Sequence, residues 1–249
     1  MSLWLYDCRA VREHPGLVGV DEAGRGAWAG PVVAAAVWFE APFYADRRRR
    51  REGRRINDSK KLPPAARADC FTVIEAWQMA GLVRVAAASA GVEEIATHNI
   101  LGATRLAMER CLRVLHAAGA GLPTIADDAP LFAAARPNGP ASRPRVLIDG
   151  RPLRPFSWPH EAVVGGDARC FAIAAASIVA KVTRDRLLAQ LDGAFPGYGL
   201  AGHKGYGTRE HQEVLRRLGP TPQHRALFLR KFQGQFPGAP DARQSEIAW

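Results

Sequence analysis

Two apolar segments near the start of the chain are joined by a stretch that is acidic, then rich in glycine. The first segment, residues 17–20, leads into the adjacent pair Asp21 and Glu22, and the second covers residues 31–39. The glycines between them are typical of a tight connection between two strands. We therefore expect two neighbouring strands, the first ending at the acidic pair so that both carboxylates serve one site.

Two later apolar segments also lead into a carboxylate. The segment RVLID ends at Asp149, and EAVVGGD ends at Asp167. Burying unpaired carboxylates costs several kcal/mol, and gathering them raises their pKa values by mutual repulsion. Divalent cations such as Mg²⁺ and Mn²⁺ relieve both costs, and two of them about 4 Å apart can promote phosphodiester hydrolysis. The alternative is that each acid caps a turn or helix; Asp167 precedes a helix predicted from about residue 168 and fits an N-cap.

Charge and composition narrow the class of protein. A net charge of +10 favours a polyanionic partner, either nucleic acid or an anionic membrane, although an arginine- and alanine-rich composition alone would also produce it. A hydrophobic content of 47% excludes a mainly disordered chain. No apolar run approaches the ~20 residues of a membrane span, and the first residues lack the apolar segment of a signal peptide. We expect a cytoplasmic protein with no membrane partner.

The order of the predicted elements is β-β-α-β-α-β-β-α followed by short helices. This order predicts an α/β fold in which a mixed β-sheet is flanked by helices and carries a small C-terminal helical extension. We place a catalytic domain at residues 1–194 and a helical substrate-binding region at 195–249, with residues after 232 as a disordered tail. The arginine block at 47–55 is interpreted as a solvated loop or a phosphate contact, and residues 122–144 as an irregular insertion.

The motifs, taken in order, resemble those of the ribonuclease HII family. They are GVDEAGRGAWAGPVVAAAV, INDSKKL, NILGATRLAM, VLIDG, GGDARCFAIAAASIVAKVTRD and HKGYGTREH. The resemblance implies a ribonuclease H-like fold and an endonuclease that uses one or two Mg²⁺ or Mn²⁺ ions. It implies cleavage of the RNA strand of RNA–DNA hybrids and incision 5′ of single ribonucleotides in duplex DNA, for ribonucleotide removal. The expected products carry 3′-hydroxyl and 5′-phosphate ends, and we expect a monomer.

The resemblance also assigns site residues. The metal-binding catalytic acids fall on Asp21, Glu22, Asp149 and Asp167, and the residues that contact the substrate fall on Gly24, Arg25, Gly26, Lys60, Ser177 and Tyr206. The GRG element and the tyrosine are implied to recognise the ribose 2′-hydroxyl and the RNA–DNA junction, and the lysine and serine to contact phosphate.

Other interpretations of these residues remain open. Taken alone, the GRG element is an ordinary turn, Tyr206 a turn tyrosine and Lys60 a surface lysine. Three histidines, at 203, 211 and 224, lack the spacing of a metal-binding pair and are assigned to phosphate contacts or packing. The whole chain could also be a non-catalytic hybrid-binding protein, or a DNA junction nuclease that uses the same acids.

Overall fold

The structure is a computed structural model that describes residues 2–122 and 143–232. Most of the predicted insertion at 122–144 and the tail predicted after residue 232 lie outside the described residues. No described helix is both long and apolar enough to cross a bilayer.

Five strands form one mixed sheet, as the sequence predicted. Its order is β3-β2-β1-β4-β5, and both the β1–β4 and the β4–β5 pairs are parallel. The strands are β1 (Gly16–Ala23), β2 (Val32–Glu40), β3 (Val83–Ala90), β4 (Arg145–Asp149) and β5 (Glu161–Val163).

Strand β1 does not end at the acidic pair, so that prediction is wrong. It continues to Ala23, and alternating residues of a strand point to opposite faces. Accordingly Asp21 is buried while Glu22 is half-buried. The strand therefore extends into the glycine-rich turn and gives the two carboxylates different environments.

Eight α-helices are found in the described chain. They are α1 (Leu3–Ala10), α2 (Arg47–Glu52), α3 (Pro64–Met79), α4 (Val92–Leu115), α5 (Phe171–Ala194), α6 (Leu200–His203), α7 (Arg209–Leu218) and α8 (Ala226–Leu229). Short 3₁₀ segments occupy Ala41–Ala45, Gly53–Arg55, Gly166–Ala168 and Arg230–Phe232. Helices α6 to α8 confirm the predicted C-terminal helical extension.

The chain divides into two compact units. The first comprises the described parts of Met1–Ala23, Ala34–Ala88 and Arg105–Val182; the second comprises Gly24–Val33, Ser89–Thr104 and the described chain from Thr183 onward. The first unit contains β1, β4, β5 and most of β2 and β3. The domain boundary predicted at residue 194 stays a prediction about folding units.

The core of the first unit is built on the small residues at the start of α5. Residues 172–176, with the sequence AIAAA, are fully buried. Because four of the five are alanines, the helix backbone lies close to the sheet. An aromatic cluster surrounds Phe171, whose ring lies 4.9 Å from that of Trp4 and 5.6 Å from that of Phe39. This packing fixes the N-terminal end of α5, which follows directly after the segment that carries Asp167.

Candidate active site

Strand pairing brings two of the predicted acids together. In the parallel β1–β4 register Val20 lies opposite Ile148, so the next residues, Asp21 and Asp149, are neighbours at the carboxyl ends of adjacent strands. Asp149 is the last residue of β4, as predicted. This edge of the sheet is where α/β folds commonly place ligands.

Asp167 reaches the same edge by a different route. Strand β5 ends at Val163, and Asp167 lies in the 3₁₀ turn Gly166–Ala168, so the prediction that it ends a strand is wrong. The backbone N–H of Gly166 donates to Asp149 Oδ1 at 2.6 Å. A Cβ on Gly166 would lie 3.2 Å from that oxygen and 2.5 Å from Ile173 Cδ1. The glycine therefore permits the contact that ties this turn to β4.

Asp167 is not the N-cap of α5 either. The backbone N–H groups of Phe171 and Ala172 donate to the carboxylate of Asp7, at 3.0 and 2.8 Å, and the Tyr44 hydroxyl donates to it at 2.9 Å. Asp7 thus satisfies the free amides that a helix N-terminus exposes. The Asp167 carboxylate is consequently available to the acidic cluster.

Asp21 is the most deeply buried of the four acids, at 4% exposure. Desolvation raises its pKa well above the ordinary value, and repulsion from the Glu22 and Asp149 carboxylates adds to the effect. Hydrogen bonds from the Glu22 backbone N–H, at 2.7 Å, and from the Ser177 hydroxyl act in the opposite direction. The Ser177 hydroxyl lies 2.7 Å from that of Ser59. Ser177, predicted to contact phosphate, is thus buried against the Asp21 carboxylate.

Lys60 is a cation beside the acidic cluster. Partial desolvation disfavours its charge, but the carboxylates of the cluster outweigh this and raise the pKa of its ammonium. The contributing acids are Asp21, Asp167, Asp58 and Glu22. Its loop is held by the Arg67 guanidinium, which donates to the carbonyls of Ser59 and Leu62 at 2.8 and 2.9 Å.

Asp58 is a member of this cluster that the sequence analysis did not identify. Desolvation first, then Asp58 and Asp149, raise the pKa of Asp167. Asp58 also accepts a hydrogen bond from the backbone N–H of Lys60 at 2.9 Å. Its position two residues before Lys60 was the available signal, since a short loop places both side chains near the same acids.

The donor set fits a hard divalent cation, because it consists of carboxylate oxygens that repel one another. Within residues 2–122 and 143–232, however, no three His, Cys, Asp or Glu side chains are grouped closely enough to hold a metal ion. The acids are therefore electrostatically coupled without forming an assembled metal cage.

The GRG element lies in the second unit, where buried Arg225 and Arg184 hold the backbone of the element and of the residues that follow it. The Arg225 guanidinium donates to the carbonyls of Arg25 and Gly30, at 3.0 and 2.9 Å. Arg184 donates to the carbonyls of three residues, Ala29, Pro31 and Lys204. Both guanidiniums are at most 1% exposed, and Arg225 Nη2 has no hydrogen-bond partner among the described residues.

The two glycines of this element differ in how much space surrounds them. Gly24 has φ +96°, and a Cβ there would lie 1.9 Å from Arg184 Nε. A Cβ on Gly26 would meet nothing within 4 Å in the described chain. Because the Arg25 carbonyl points toward Arg225, the planar trans peptide directs the Gly26 N–H the opposite way. Gly26 is exposed, so this N–H can donate to an approaching ligand.

Tyr206 lies in a turn fixed by backbone hydrogen bonds. Its N–H donates to the His203 carbonyl at 3.0 Å, and its own carbonyl accepts from Thr208 N–H at 2.8 Å and His211 Nδ1 at 2.9 Å. Its ring is 36% exposed and lies 5.4 Å from the Arg184 guanidinium. The ring is thus partly available for stacking on a fixed backbone.

The three C-terminal histidines serve packing, one of the two roles predicted. His211 Nδ1 donates to a carbonyl, so its Nε2 accepts from His224 Nε2 at 2.9 Å; His224 Nδ1 in turn accepts from Thr221 N–H. Burial is the main cause that lowers the pKa values of His211 and His224 to about 4. Both rings are therefore neutral at pH 7 and fix the turn that carries Tyr206.

Comparison with known proteins matches the chain to one family. The sequence model for Ribonuclease HII matches residues 18–233. Ribonuclease HII of Moorella thermoacetica is 45% identical over 229 residues, 91% of this chain and 93% of that protein. Ribonuclease HII of Paracidovorax citrulli is 47% identical over 215 residues, 86% of this chain and 75% of that protein.

Solved structures share the fold at lower sequence identity. Ribonuclease HII from Archaeoglobus fulgidus, in its complex with PCNA, is 21% identical with a TM-score of 0.58, over 84% of this chain and 93% of that chain. Bst-RNase HIII in complex with Mn²⁺ is 20% identical with a TM-score of 0.58, over 84% of this chain and 65% of that chain. Both support the ribonuclease H-like architecture.

Proposed function

Since the chain belongs to the ribonuclease HII family, whose members are endoribonucleases that act on RNA–DNA hybrids, we propose that it also incises duplex DNA 5′ of a single embedded ribonucleotide. The products would carry 3′-hydroxyl and 5′-phosphate ends. We further propose that it acts as a monomer, because every residue assigned to the reaction lies on this one chain.

One observation carries the proposed chemistry. Four carboxylates come from β1, β4 and the turn before α5, and desolvation first, then repulsion from neighbouring carboxylates, raises the pKa values of Asp21 and Asp167. A buried acidic cluster in a chain of net charge +10 suits a phosphodiester substrate, whose backbone the basic surface attracts.

Ribonuclease H enzymes depend on divalent metal ions, and we propose that Mg²⁺ or Mn²⁺ is held here by Asp21, Glu22, Asp149 and Asp167. When bound, such ions supply an activated water and stabilise charge on the phosphate. The protein contributes the placement of these carboxylates. Hydrogen bonds from Ser177 and the Glu22 N–H favour the charged form of the Asp21 carboxylate and orient it, and the Gly166 N–H orients Asp149.

Other residues are proposed to position the nucleic acid. The Lys60 ammonium, held charged beside the acids, would contact a phosphate oxygen close to the scissile bond. The outward Gly26 N–H and the Arg25 side chain would recognise the ribose 2′-hydroxyl and its phosphate, since only this hydroxyl distinguishes RNA from DNA. The Tyr206 ring would stack at the junction.

The test uses three duplexes of one sequence: all DNA, DNA with one ribonucleotide, and an RNA–DNA hybrid. With Mg²⁺ or Mn²⁺ we expect cleavage of the last two and a cut 5′ of the single ribonucleotide, with ends identified by ligation and phosphatase treatment. Cleavage of the all-DNA duplex would instead indicate a junction nuclease. Binding without any cleavage would indicate a hybrid-binding protein.

A matched pair of variants tests the acids. Asp21→Asn should retain duplex binding and lose cleavage by at least about a hundredfold, the equivalent of about 2.7 kcal/mol. Asp69→Asn, in an exposed ion pair with Arg55, removes the same charge outside the cluster and should cleave like the wild type. Near wild-type cleavage by Asp21→Asn would refute the proposed chemistry.

A further inference from the structure

The arginine block at 47–55 has a folded structure, so the expectation of a solvated loop is wrong. Residues Arg47–Glu52 form helix α2 and Gly53–Arg55 form a 3₁₀ turn. The Asp46 carboxylate accepts a hydrogen bond from the Arg48 backbone N–H at 2.7 Å and caps the helix. The arginines therefore have fixed directions.

One side of this helix is neutralised and attached to the protein. Arg48 and Arg49 form ion pairs with Glu52 at 2.8 and 2.9 Å, and the Trp77 indole N–H donates to the same carboxylate at 2.8 Å. The Trp77 hydrogen bond is the main cause that lowers the pKa of Glu52 to about 2, with the two arginines adding to it. Arg49 also pairs with Asp46 at 3.5 Å, so two carboxylates compensate the charge of these two arginines.

The opposite side is exposed and uncompensated. Arg47, Arg50 and Arg51 recur at i, i+3 and i+4 on α2, so they share one face; Arg54 follows three residues later in the 3₁₀ turn, where i and i+3 are eclipsed. All four are exposed, and their side chains make no ion pair or hydrogen bond with any described residue. We call Arg47, Arg50, Arg51 and Arg54 the basic face.

The basic face is anchored beside the acidic cluster within the first unit. A Cβ on Gly53 would lie 2.8 Å from the ring of Phe171, the first residue of α5. Ser59, six residues after Gly53, contacts Ser177, which lies six residues after Phe171 on α5. Six residues of α-helix span about 9 Å, or roughly three base-pair steps of a duplex. Hence the basic face begins a few nucleotides away from the Lys60 loop.

We propose that the basic face is a separate binding site for the phosphate backbone of the substrate duplex, flanking the cut site. The proposal rests on the nucleic-acid substrate of the proposed function and adds a site outside the catalytic residues. Exposed, uncompensated guanidiniums bind phosphate and release counterions, whereas the paired arginines on the other side of α2 have no charge to spare. Such contacts are made to the backbone and are independent of sequence.

The experiment compares two double variants that each remove two positive charges from this segment. Arg50→Ala/Arg51→Ala removes uncompensated arginines, and Arg48→Ala/Arg55→Ala removes arginines paired with Glu52 and Asp69. Binding to an all-DNA duplex is measured in EDTA at several salt concentrations. Loss of two phosphate contacts should reduce the slope of log K against log salt by about 1.8 in the first variant. The second should change it by less than half as much.

The outcomes separate this inference from the proposed function. An effect of net charge alone would change both slopes equally, and that result, or an unchanged slope in Arg50→Ala/Arg51→Ala, would overturn the proposal. Because binding is measured without cleavage, the result does not depend on ribonucleotide incision by the wild type. On the ribonucleotide duplex with metal, Arg50→Ala/Arg51→Ala should raise KM and leave kcat unchanged. A fall in kcat at unchanged KM would also refute a binding role.

Discussion

Asp7→Asn should remove a pH-dependent contribution to stability that comes from one buried carboxyl. Asp7 is fully buried and accepts hydrogen bonds from the Cys170 thiol, the N–H groups of Phe171 and Ala172, and the Tyr44 hydroxyl. These bonds favour the charged form. Desolvation nevertheless dominates and raises the pKa of Asp7 to about 6. The folded protein therefore binds a proton that the unfolded chain has already released.

The sign and size follow from that difference. An unfolded aspartate has a pKa of about 3.9, so between about pH 4 and pH 6 only the folded state holds this proton. The free energy of unfolding contributed by Asp7 is then largest at low pH and is lost as pH rises through about 6. A difference of about two pKa units, at 1.36 kcal/mol each, amounts to about 3 kcal/mol.

Urea unfolding of the wild type and Asp7→Asn between about pH 4.5 and pH 7.5 measures this contribution. The difference, wild type minus variant, should fall by about 2 kcal/mol across that range, because part of the effect lies below it. The difference between the two proteins is measured because other groups also titrate in this range. His211 and His224, whose pKa values are lowered to about 4, contribute stability that is lost as pH falls, and this contribution cancels in the difference.

Tyr44→Phe provides a matched variant. It removes one donor to the carboxylate, which should raise the pKa of Asp7 further and steepen the same pH dependence. A difference between wild type and Asp7→Asn that stays constant with pH would refute the assignment of a raised pKa to this carboxyl. So would a Tyr44→Phe variant with a flatter pH dependence than the wild type.

Three substitutions test the backbone contacts around the site. In Gly26→Ala the added Cβ meets no described atom within 4 Å, so stability to urea should be unchanged while kcat/KM for the ribonucleotide duplex falls at least about tenfold, about 1.4 kcal/mol. Gly24→Ala should instead be destabilised, and equal losses of stability in the two variants would contradict this distinction. Gly166→Ala places a Cβ 3.2 Å from Asp149 Oδ1. It should lower the free energy of unfolding by about 1–3 kcal/mol and also reduce the cleavage rate; full cleavage activity would contradict a positioning role for Gly166. Arg225→Met removes the hydrogen bonds to the carbonyls of Arg25 and Gly30 and should raise KM for the ribonucleotide duplex more than KM for the RNA–DNA hybrid. Equal changes in the two KM values would indicate a general loss of structure.

The sequence predicted the strands, their order along the chain and the family, because alternating apolar segments and ordered motifs are local signals. It located strand and turn boundaries less well. Strand β1 continues past Asp21 to Ala23, and β5 ends before Asp167. Such boundaries depend on pairing partners far along the chain, and the neighbouring residues carry no signal of that pairing.

Residues that act through long-range contacts were also missed. Asp7, near the start of the chain, caps α5, a role for which Asp167 was the alternative candidate from sequence. Arg184 and Arg225 were ordinary basic residues in sequence, yet they are buried and hold the turn that carries Arg25. The arginine block was assigned to a loop from its charge, and the anchoring hydrogen bond from Trp77 to Glu52 could not be inferred from spacing.

The parallel pairing of β1 with β4 has a consequence for the order of events during synthesis. Leu17 pairs with Arg145, and Val20 with Ile148, so a ribosome must add most of the first unit before β1 can pair with β4. Contacts this distant in sequence form slowly because a long loop must close first. A nascent chain therefore displays Asp21 and the basic α2 segment while Asp149 and Asp167 are still missing. On the roles proposed for these residues, it attracts nucleic acid before it can cut it, and cleavage becomes available only when the C-terminal half completes the acidic cluster.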